Sequence, residues 1–520
     1  MALGSGTCYS PLVTSSSESP KAEMQKPARR RYSVLHLWVT LMPFLLGSLP
    51  LMCQSRFSSE TSQLSINADE LVDFAKSFGS TGVSDDTLER VLKLSLPAPQ
   101  TRPSELAAFE ENRFFVYFLG NLDEIRADLA KERQIRAKRS RSRRVRRMIF
   151  LKPSTFIVDD TVIAASPGRV QWSLYSRAKP TLSGESSFRV IDEDHELVCE
   201  TLLPHKVTRH VRRHLNGLGQ PDGHVLELVA EPKPEELRIV NVLHVRLRGA
   251  PASGSVAEVD AQKDLLSLKV RTAPNSYHMT LPPAQAGAGD IEILRDDGKV
   301  LMGRRVFPSG RLPHGVKGAR LLEQWDSDYR KSQPPLWDAG QASGELIKLV
   351  ESGMIRPGRA VELGCGSGTD AIYLARLGFE VTAIDIAPTA LRQAQEKALK
   401  AGVRVNWLLA DVLAPPTLKP FDFIFDRGCY HEVRGHNLKG YIETVDRLSR
   451  SGTRFLLLAG NANETSIGYG PPQVTEAELR EDFSPLFEFE WLRESRFEIA
   501  RPSALGPLAW SALLMKKSKP

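Results

Sequence analysis

Three glycines, Gly364, Gly366 and Gly368, stand in the run GRAVELGCGSGTDAIYLARLGFEVTAIDIAP (358–388), and Asp385 closes that run's second apolar stretch, EVTAID. Glycine at alternate positions lets the chain turn tightly and lay bare backbone against a ligand. The residue after the third glycine is Thr369, so the G-x-G-x-x-G spacing that cradles a pyrophosphate is not met. A carboxylate at a strand end accepts hydrogen bonds from two neighbouring hydroxyls, which suits a ribose. Two further acids flank the set: Glu362 before the loop and Asp411 at the end of VRVNWLLAD.

These residues need a strand, a loop, a helix and a second strand to hold them. Ala360, Val361 and Leu363 are apolar strand positions, and Ala371, Ile372, Leu374, Ala375 and Leu377 repeat at helical spacing. Downstream, FDFIFDRGCYHEV (421–433) ends another strand in Asp426-Arg427-Gly428, with His431 three residues on. Upstream, EQWDSDYRKSQPPLWDAGQAS (323–343) carries Trp325 and Trp337-Asp338. FEFEWLRESRF and LAWSALLMKK read as a last pair of strands.

Together these pieces resemble the class I S-adenosylmethionine-dependent methyltransferases, and within them the thiopurine and tellurite-resistance group, over about 318–520. The resemblance implies a doubly wound, Rossmann-like α/β domain. It implies that the loop Gly364, Cys365, Gly366, Gly368 meets the methionine part of S-adenosylmethionine, with Glu362 beside it. Asp385 would bind the ribose, Ile386 would lie beside the adenine, and Asp411 and Val412 would flank the adenine. Trp337 would close over the cofactor, although Pro-Leu-Trp-Asp here is one residue longer than the group's Pro-Trp-Asp. Asp426 is placed with the cofactor-binding set. Arg427 and His431 are the expected catalytic pair, Arg427 holding a soft anionic acceptor and His431 taking a proton if the acceptor arrives protonated. Cys365 and Cys429 border the site as filler and wall, and no metal is expected.

The rest of the 520 residues must be more than one domain. With 41% hydrophobic, 25% charged and 7% aromatic residues, fibrous, coiled-coil and wholly disordered classes are excluded. The net charge of +7 is concentrated in one run, KERQIRAKRSRSRRVRR (131–147), with ten Lys or Arg against one acid. No aromatic groups interleave those arginines, so it reads as a solvated helix or linker, and nucleic acid is not an expected partner. Five widely spaced cysteines without C-x-x-C exclude a disulfide framework or a cysteine zinc site.

Residues 1–32 read as a disordered basic tail. Ser33 to Cys53 carries no charged residue in 21 positions, long enough for a signal anchor or transmembrane segment. That leaves the compartment open, because the cofactor is made in the cytosol. Residues 60–147 read as a short helical region: LVDFAKSF, TLERVLKLSL and, more weakly, ELAAFEENRFFVYFLGNL (105–122), followed by the basic run. From 148 to 308 the period turns to two, with Pro, Gly and Asp between runs, which predicts an all-β sandwich. There RRMIFLKPSTFIVDDTV and VQWSLYSR faintly resemble the C-terminal β-domain of heparinase II/III-like polysaccharide lyases, which makes carbohydrate a candidate partner. The helical toroid of that family has no room in 65–130, so lyase activity is not implied. His210 and His214 have the spacing of a helical metal pair, but Arg212 and Arg213 between them favour surface histidines.

The expected function is transfer of a methyl group from S-adenosylmethionine to a small thiol, chalcogen or similar acceptor. The rival is a membrane- or envelope-associated carbohydrate-binding, lyase-related protein with an accessory methyltransferase domain. A nucleic-acid methyltransferase is disfavoured because Asp-Arg-Gly-Cys-Tyr-His stands where N-P-P-Y-like motifs would.

Overall fold

A computed structural model describes residues 62–77, 83–95, 106–122, 143–163, 170–230, 236–250, 255–260, 265–284, 286–465, 470–501 and 504–518. The tail, the apolar segment 33–53 and most of the basic run lie outside the described residues. Among the described residues no helix is long and apolar enough to cross a membrane.

The β-rich part has three layers. Its centre is an eight-stranded sheet running from Leu106–Glu111 at one edge to Thr181–Ser183 at the other. Consecutive side chains of its strands enter opposite cores: Phe118, Phe150, Phe156 and Leu243 enter one, Tyr117, Ile149, Ile157 and Val242 the other. The first core is completed by a four-stranded sheet carrying Trp172 and Leu226, and by helices Ala68–Ser77 and Thr87–Ser95. The second is completed by a five-stranded antiparallel meander, Ser255–Asp260 to Val300–Val306, carrying Leu268, Tyr277 and Ile291.

Two expectations are corrected. ELAAFEENRFFVYFLGNL is a β-hairpin, Leu106–Glu111 paired with Phe115–Asn121, because both faces of that hairpin are buried and the alternating pattern is lost. The end of the basic run is not solvated either. Arg143–Leu151 is a strand, and Arg146 and Arg147 are fully buried opposite Asp160 and Asp159. Arg146 grips Asp160 with two bonds (2.7 and 2.8 Å) and also donates to the Ser65 carbonyl at 3.1 Å, fastening the four-stranded sheet. Arg147 donates to Asp159 at 3.0 Å and to the Pro282 and Gly287 carbonyls at 2.9 and 2.7 Å, fastening the loop beside the meander.

The C-terminal part is a doubly wound α/β fold. Its main strands are β1 (Arg359–Leu363), β2 (Glu380–Asp385), β3 (Asn406–Leu409), β4 (Phe421–Arg427), β5 (Ser449–Asn461), β6 (Phe487–Arg496) and β7 (Leu508–Lys516), and the two-residue strand Gln473–Val474 pairs with the end of β5. They lie in the order β3-β2-β1-β4-β5-β7-β6, with β1–β5 parallel and β7 antiparallel to its neighbours. Helices α1 (Gly315–Arg330), α2 (Gly344–Glu351), α3 (Thr369–Arg376), α4 (Pro388–Ala401), α5 (Cys429–Leu448) and α6 (Glu476–Phe483) accompany them. Phe423 and Phe425 of β4 pack towards α2 and α3, and Ile424 between them packs towards α5. Strand order reverses at β1, so the crevice beyond the carboxyl ends of β1 and β4 is where such a sheet takes a ligand.

Candidate active site

The loop after β1 is left-handed at each of its glycines, with φ of +68° at Gly364, +52° at Gly366 and +76° at Gly368. Side chains are excluded as well as strained there: a Cβ on Gly366 would stand 2.5 Å from the Tyr329 hydroxyl, and one on Gly364 would stand 2.7 Å from Cys429 Cβ. Cys365 turns its side chain into the core, where burial raises its thiol pKa well above the usual range, so it presents backbone only.

Asp385 ends β2 facing this loop. Its carboxylate accepts from Gly366 N–H at 2.7 Å and from Ala387 N–H at 2.8 Å. Burial pushes its pKa up to about 6. Ile386 follows, half-buried. Asp411 accepts from Leu413 N–H at 2.9 Å, Val412 is buried, and desolvation raises the Asp411 carboxyl too.

Two further acids, Glu362 and Asp370, are buried on either side of the loop in sequence. Glu362 is buried, and desolvation, with the Asp370 charge adding to it, drives its carboxyl well up. Asp370 accepts from Ser343 N–H at 2.7 Å and is pushed up to about 6 by burial. Glu362 Oε2 and Ser343 Oγ are buried with no hydrogen-bond partner.

Trp337 is exposed and packs against Tyr329 and Trp325. Its indole N–H donates to the Tyr329 hydroxyl at 3.0 Å, and Asp338 accepts from Ser367 Oγ at 2.5 Å. Tyr329, Ser343, Asp370 and Phe497 were not singled out by sequence. For Tyr329 the available signal was its i+4 spacing from Trp325, and for Asp370 an acid two residues after the third glycine.

On the β4 side the three expected residues have partners within the protein. Asp426 does not face the crevice: it is fully buried, accepts from the Cys429 and Tyr430 amides at the start of α5 and from Tyr441 OH at 2.5 Å, and burial lifts its pKa to about 7. Arg427 is not a free anion holder. Its Nη1 donates to the Trp337 carbonyl at 3.0 Å and its Nη2 to the Glu498 carbonyl at 2.6 Å, with Phe497 under the guanidinium at 5.5 Å. His431 is already engaged. Gly460 N–H donates to its Nδ1 at 2.9 Å, which leaves the ring proton on Nε2, and burial, aided by the Arg427 charge, pushes its pKa down to about 3. Cys429 is held as a thiol, its pKa driven well up by burial and neighbouring carboxylates.

Among the described residues no group of three or more His, Cys, Asp or Glu is arranged to hold a metal ion. His210 and His214 lie on a strand, and His214 is paired with Asp222 at 2.5 Å.

A family model described as a methyltransferase domain matches residues 360–452. A 2-heptyl-1-hydroxyquinolin-4(1H)-one methyltransferase of Mycobacteroides abscessus is 30% identical over 186 residues, covering 34% of this chain and 81% of that protein. The chain belongs to the class I S-adenosylmethionine-dependent methyltransferases. A probable thiol methyltransferase 2 of Arabidopsis thaliana is 26% identical to this methyltransferase over 164 residues, 31% of this chain and 72% of that one. A solved structure concerned with conversion of a disulfide bond into a thioacetal group during echinomycin biosynthesis aligns at 26% identity over 38% of this chain and 93% of that chain, with a TM-score of 0.34. The heparinase-like resemblance of the β-rich part receives no support from these matches.

The residues of this methyltransferase fit its cofactor. The left-handed glycine loop leaves its backbone bare of side chains, and the unpartnered Glu362 Oε2 and Ser343 Oγ suit a buried cationic or hydrogen-donating group such as the cofactor's ammonium. Cofactor affinity is expected to depend on pH through Asp385 and Asp370. Their folded pKa values lie above the ordinary carboxylate value, so ionisation costs the free protein stability, a cost relieved as pH falls through about 6. Binding needs the ionised forms and therefore has the opposite sign. Titration with S-adenosylhomocysteine from pH 7.5 to 5 should show affinity falling below about pH 6, by about tenfold per unit for one proton. A flat profile would show that neither carboxylate meets the ligand.

Proposed function

We propose that this methyltransferase transfers the methyl group to a small thiol or comparably acidic nucleophile that reaches the site already ionised. The observation carrying this reading is the engagement of His431: Gly460 N–H donates to its Nδ1, its Nε2 lies 3.9 Å from the Glu432 carboxylate, and burial lowers its pKa to about 3. Such a histidine stabilises an incoming anion and takes no proton from it.

When bound, the cofactor supplies a sulfonium-activated methyl group that a nucleophile displaces in line, so catalysis rests on positioning. Backbone of the 364–368 loop and the Asp385 carboxylate hold one end of the ligand. Ile386, Asp411 and Val412 flank its base. Glu362, Asp370 and Ser343 receive the ammonium end. Arg427 ties the Trp337 segment to the Phe497–Glu498 segment and so fixes both walls of the acceptor side. The likeness to a thiol methyltransferase supports sulfur as the acceptor atom.

The test is a series of arenethiols of graded acidity, with the methyl thioether quantified by mass spectrometry. The acid limb of kcat/KM should move with the pKa of each thiol, and His431→Phe should lower kcat/KM without removing that limb. A limb fixed at one pH for every thiol would reveal a protein base and overturn the reading. Strong preference for a hydroxyquinolone, the acceptor type of the mycobacterial relative, would move the acceptor atom from sulfur to oxygen.

A further inference from the structure

We infer that the β-rich part is a positioning module for the cofactor site, acting through the strip Ser309–Leu312 and through Asp85. The inference rests on the reading that Asp411 and Val412 flank the adenine.

The strip is clasped from both sides. On the β-rich side, Phe109 N–H donates to the Gly310 carbonyl at 3.4 Å and Leu312 N–H donates to the Phe109 carbonyl at 2.9 Å, a parallel bridge off the edge strand Leu106–Glu111. On the α/β side, Ser309 N–H donates to the Leu409 carbonyl at 2.9 Å and Asp411 N–H donates to the Arg311 carbonyl at 2.9 Å. Arg311 N–H reaches the Ala414 carbonyl at 3.3 Å. The turn Ala410–Ala414 therefore rests on a strip whose other side is held by Phe109. No side chain fits at the crossing: a Cβ on Gly310 would stand 2.7 Å from Ala410 Cβ and 2.9 Å from the Ala414 carbonyl oxygen. Phe109 is fully buried, with the His314 ring edge-on at 5.6 Å.

Asp85 makes a second link. It belongs to the β-rich part and accepts from Val316 N–H at 2.8 Å in the first turn of α1. The last turn of the same helix carries Tyr329, the phenol against Gly366, and Asp326, which accepts from Thr389 N–H at 2.7 Å at the start of α4. One link thus sets the turn at Asp411, and the other sets the helix that backs the glycine loop.

Coupling of this kind is reciprocal: if the strip shapes the site, a ligand in the site must steady the strip and the strand behind it. The experiment is amide hydrogen exchange of the full chain with and without S-adenosylhomocysteine, together with calorimetric affinities for Gly310→Ala and Asp85→Ala. Exchange over 106–112 should slow on binding, whereas the distant strand pair 187–203 should be unchanged. Gly310→Ala should bind about tenfold more weakly, and Asp85→Ala about fivefold, with kcat at saturating cofactor within about twofold of the parent. Tight binding by the parent with unchanged exchange over 106–112, or with both variants at parental affinity, overturns the inference and leaves the cofactor site standing. Failure of the folded parent to bind overturns both. If a variant does not fold, exchange in the parent still decides.

Discussion

Replacing Asp160 with alanine is expected to lower the stability of the β-rich part by about 3–5 kcal/mol, the cost of removing the carboxylate from a buried ion pair. Arg146 and Asp160 are both inaccessible to solvent and meet through two bonds, and the Trp172 indole donates to the same carboxylate at 3.0 Å. The substitution removes both Arg146–Asp160 bonds and the acceptor of the Trp172 indole from a core formed by Phe118, Phe150, Trp172 and Leu226. Asp160→Asn, which keeps an acceptor, should lose less. Urea unfolding of both variants checks this, and a loss below about 1 kcal/mol for Asp160→Ala would show that water replaces the carboxylate.

Asp385→Ala should weaken cofactor binding about 100-fold while leaving the fold intact. Hydrogen bonds to an ionised carboxylate are each worth about 1.5–3 kcal/mol, and the ribose presents two hydroxyls. The loss has a second component, because Asp385 also receives the Gly366 amide and so helps to hold the loop in its left-handed turn. Asp385→Asn separates the two: it retains an acceptor for the amide but no charge for the hydroxyls. Calorimetry with S-adenosylhomocysteine measures both, and an alanine variant binding within about threefold of the parent would place the ribose elsewhere.

The left-handed glycine loop and the strand-end position of Asp385 were legible in the sequence because both rest on local properties, backbone freedom and a carboxylate closing a strand. The charge states and partners on the β4 side were not. His431 is fixed by Gly460, 29 residues later, and Arg427 by carbonyls 90 residues before and 71 after it. Arg-Gly-Cys-Tyr-His read alone offers a cation and a base; folded, both side chains are held by distant backbone. Asp426 was ambiguous for a related reason, since a strand-end acid that caps the next helix has the same local sequence as one that faces a ligand. In the β-rich part, the hairpin 106–121 was read as helical because strands buried on both faces lose the period of two. Arg146 and Arg147 looked like solvated charge because their partners Asp160 and Asp159 sit across a hairpin, in register but outside any short window.

The most direct test of the account is calorimetric titration of the full chain with S-adenosylhomocysteine at pH 7.5. One site per chain with micromolar affinity is the predicted result. No binding by a chain shown to be folded would contradict the assignment of the Gly364–Gly368 loop, Asp385 and Asp411 as the cofactor site, and with it the proposed methyl transfer.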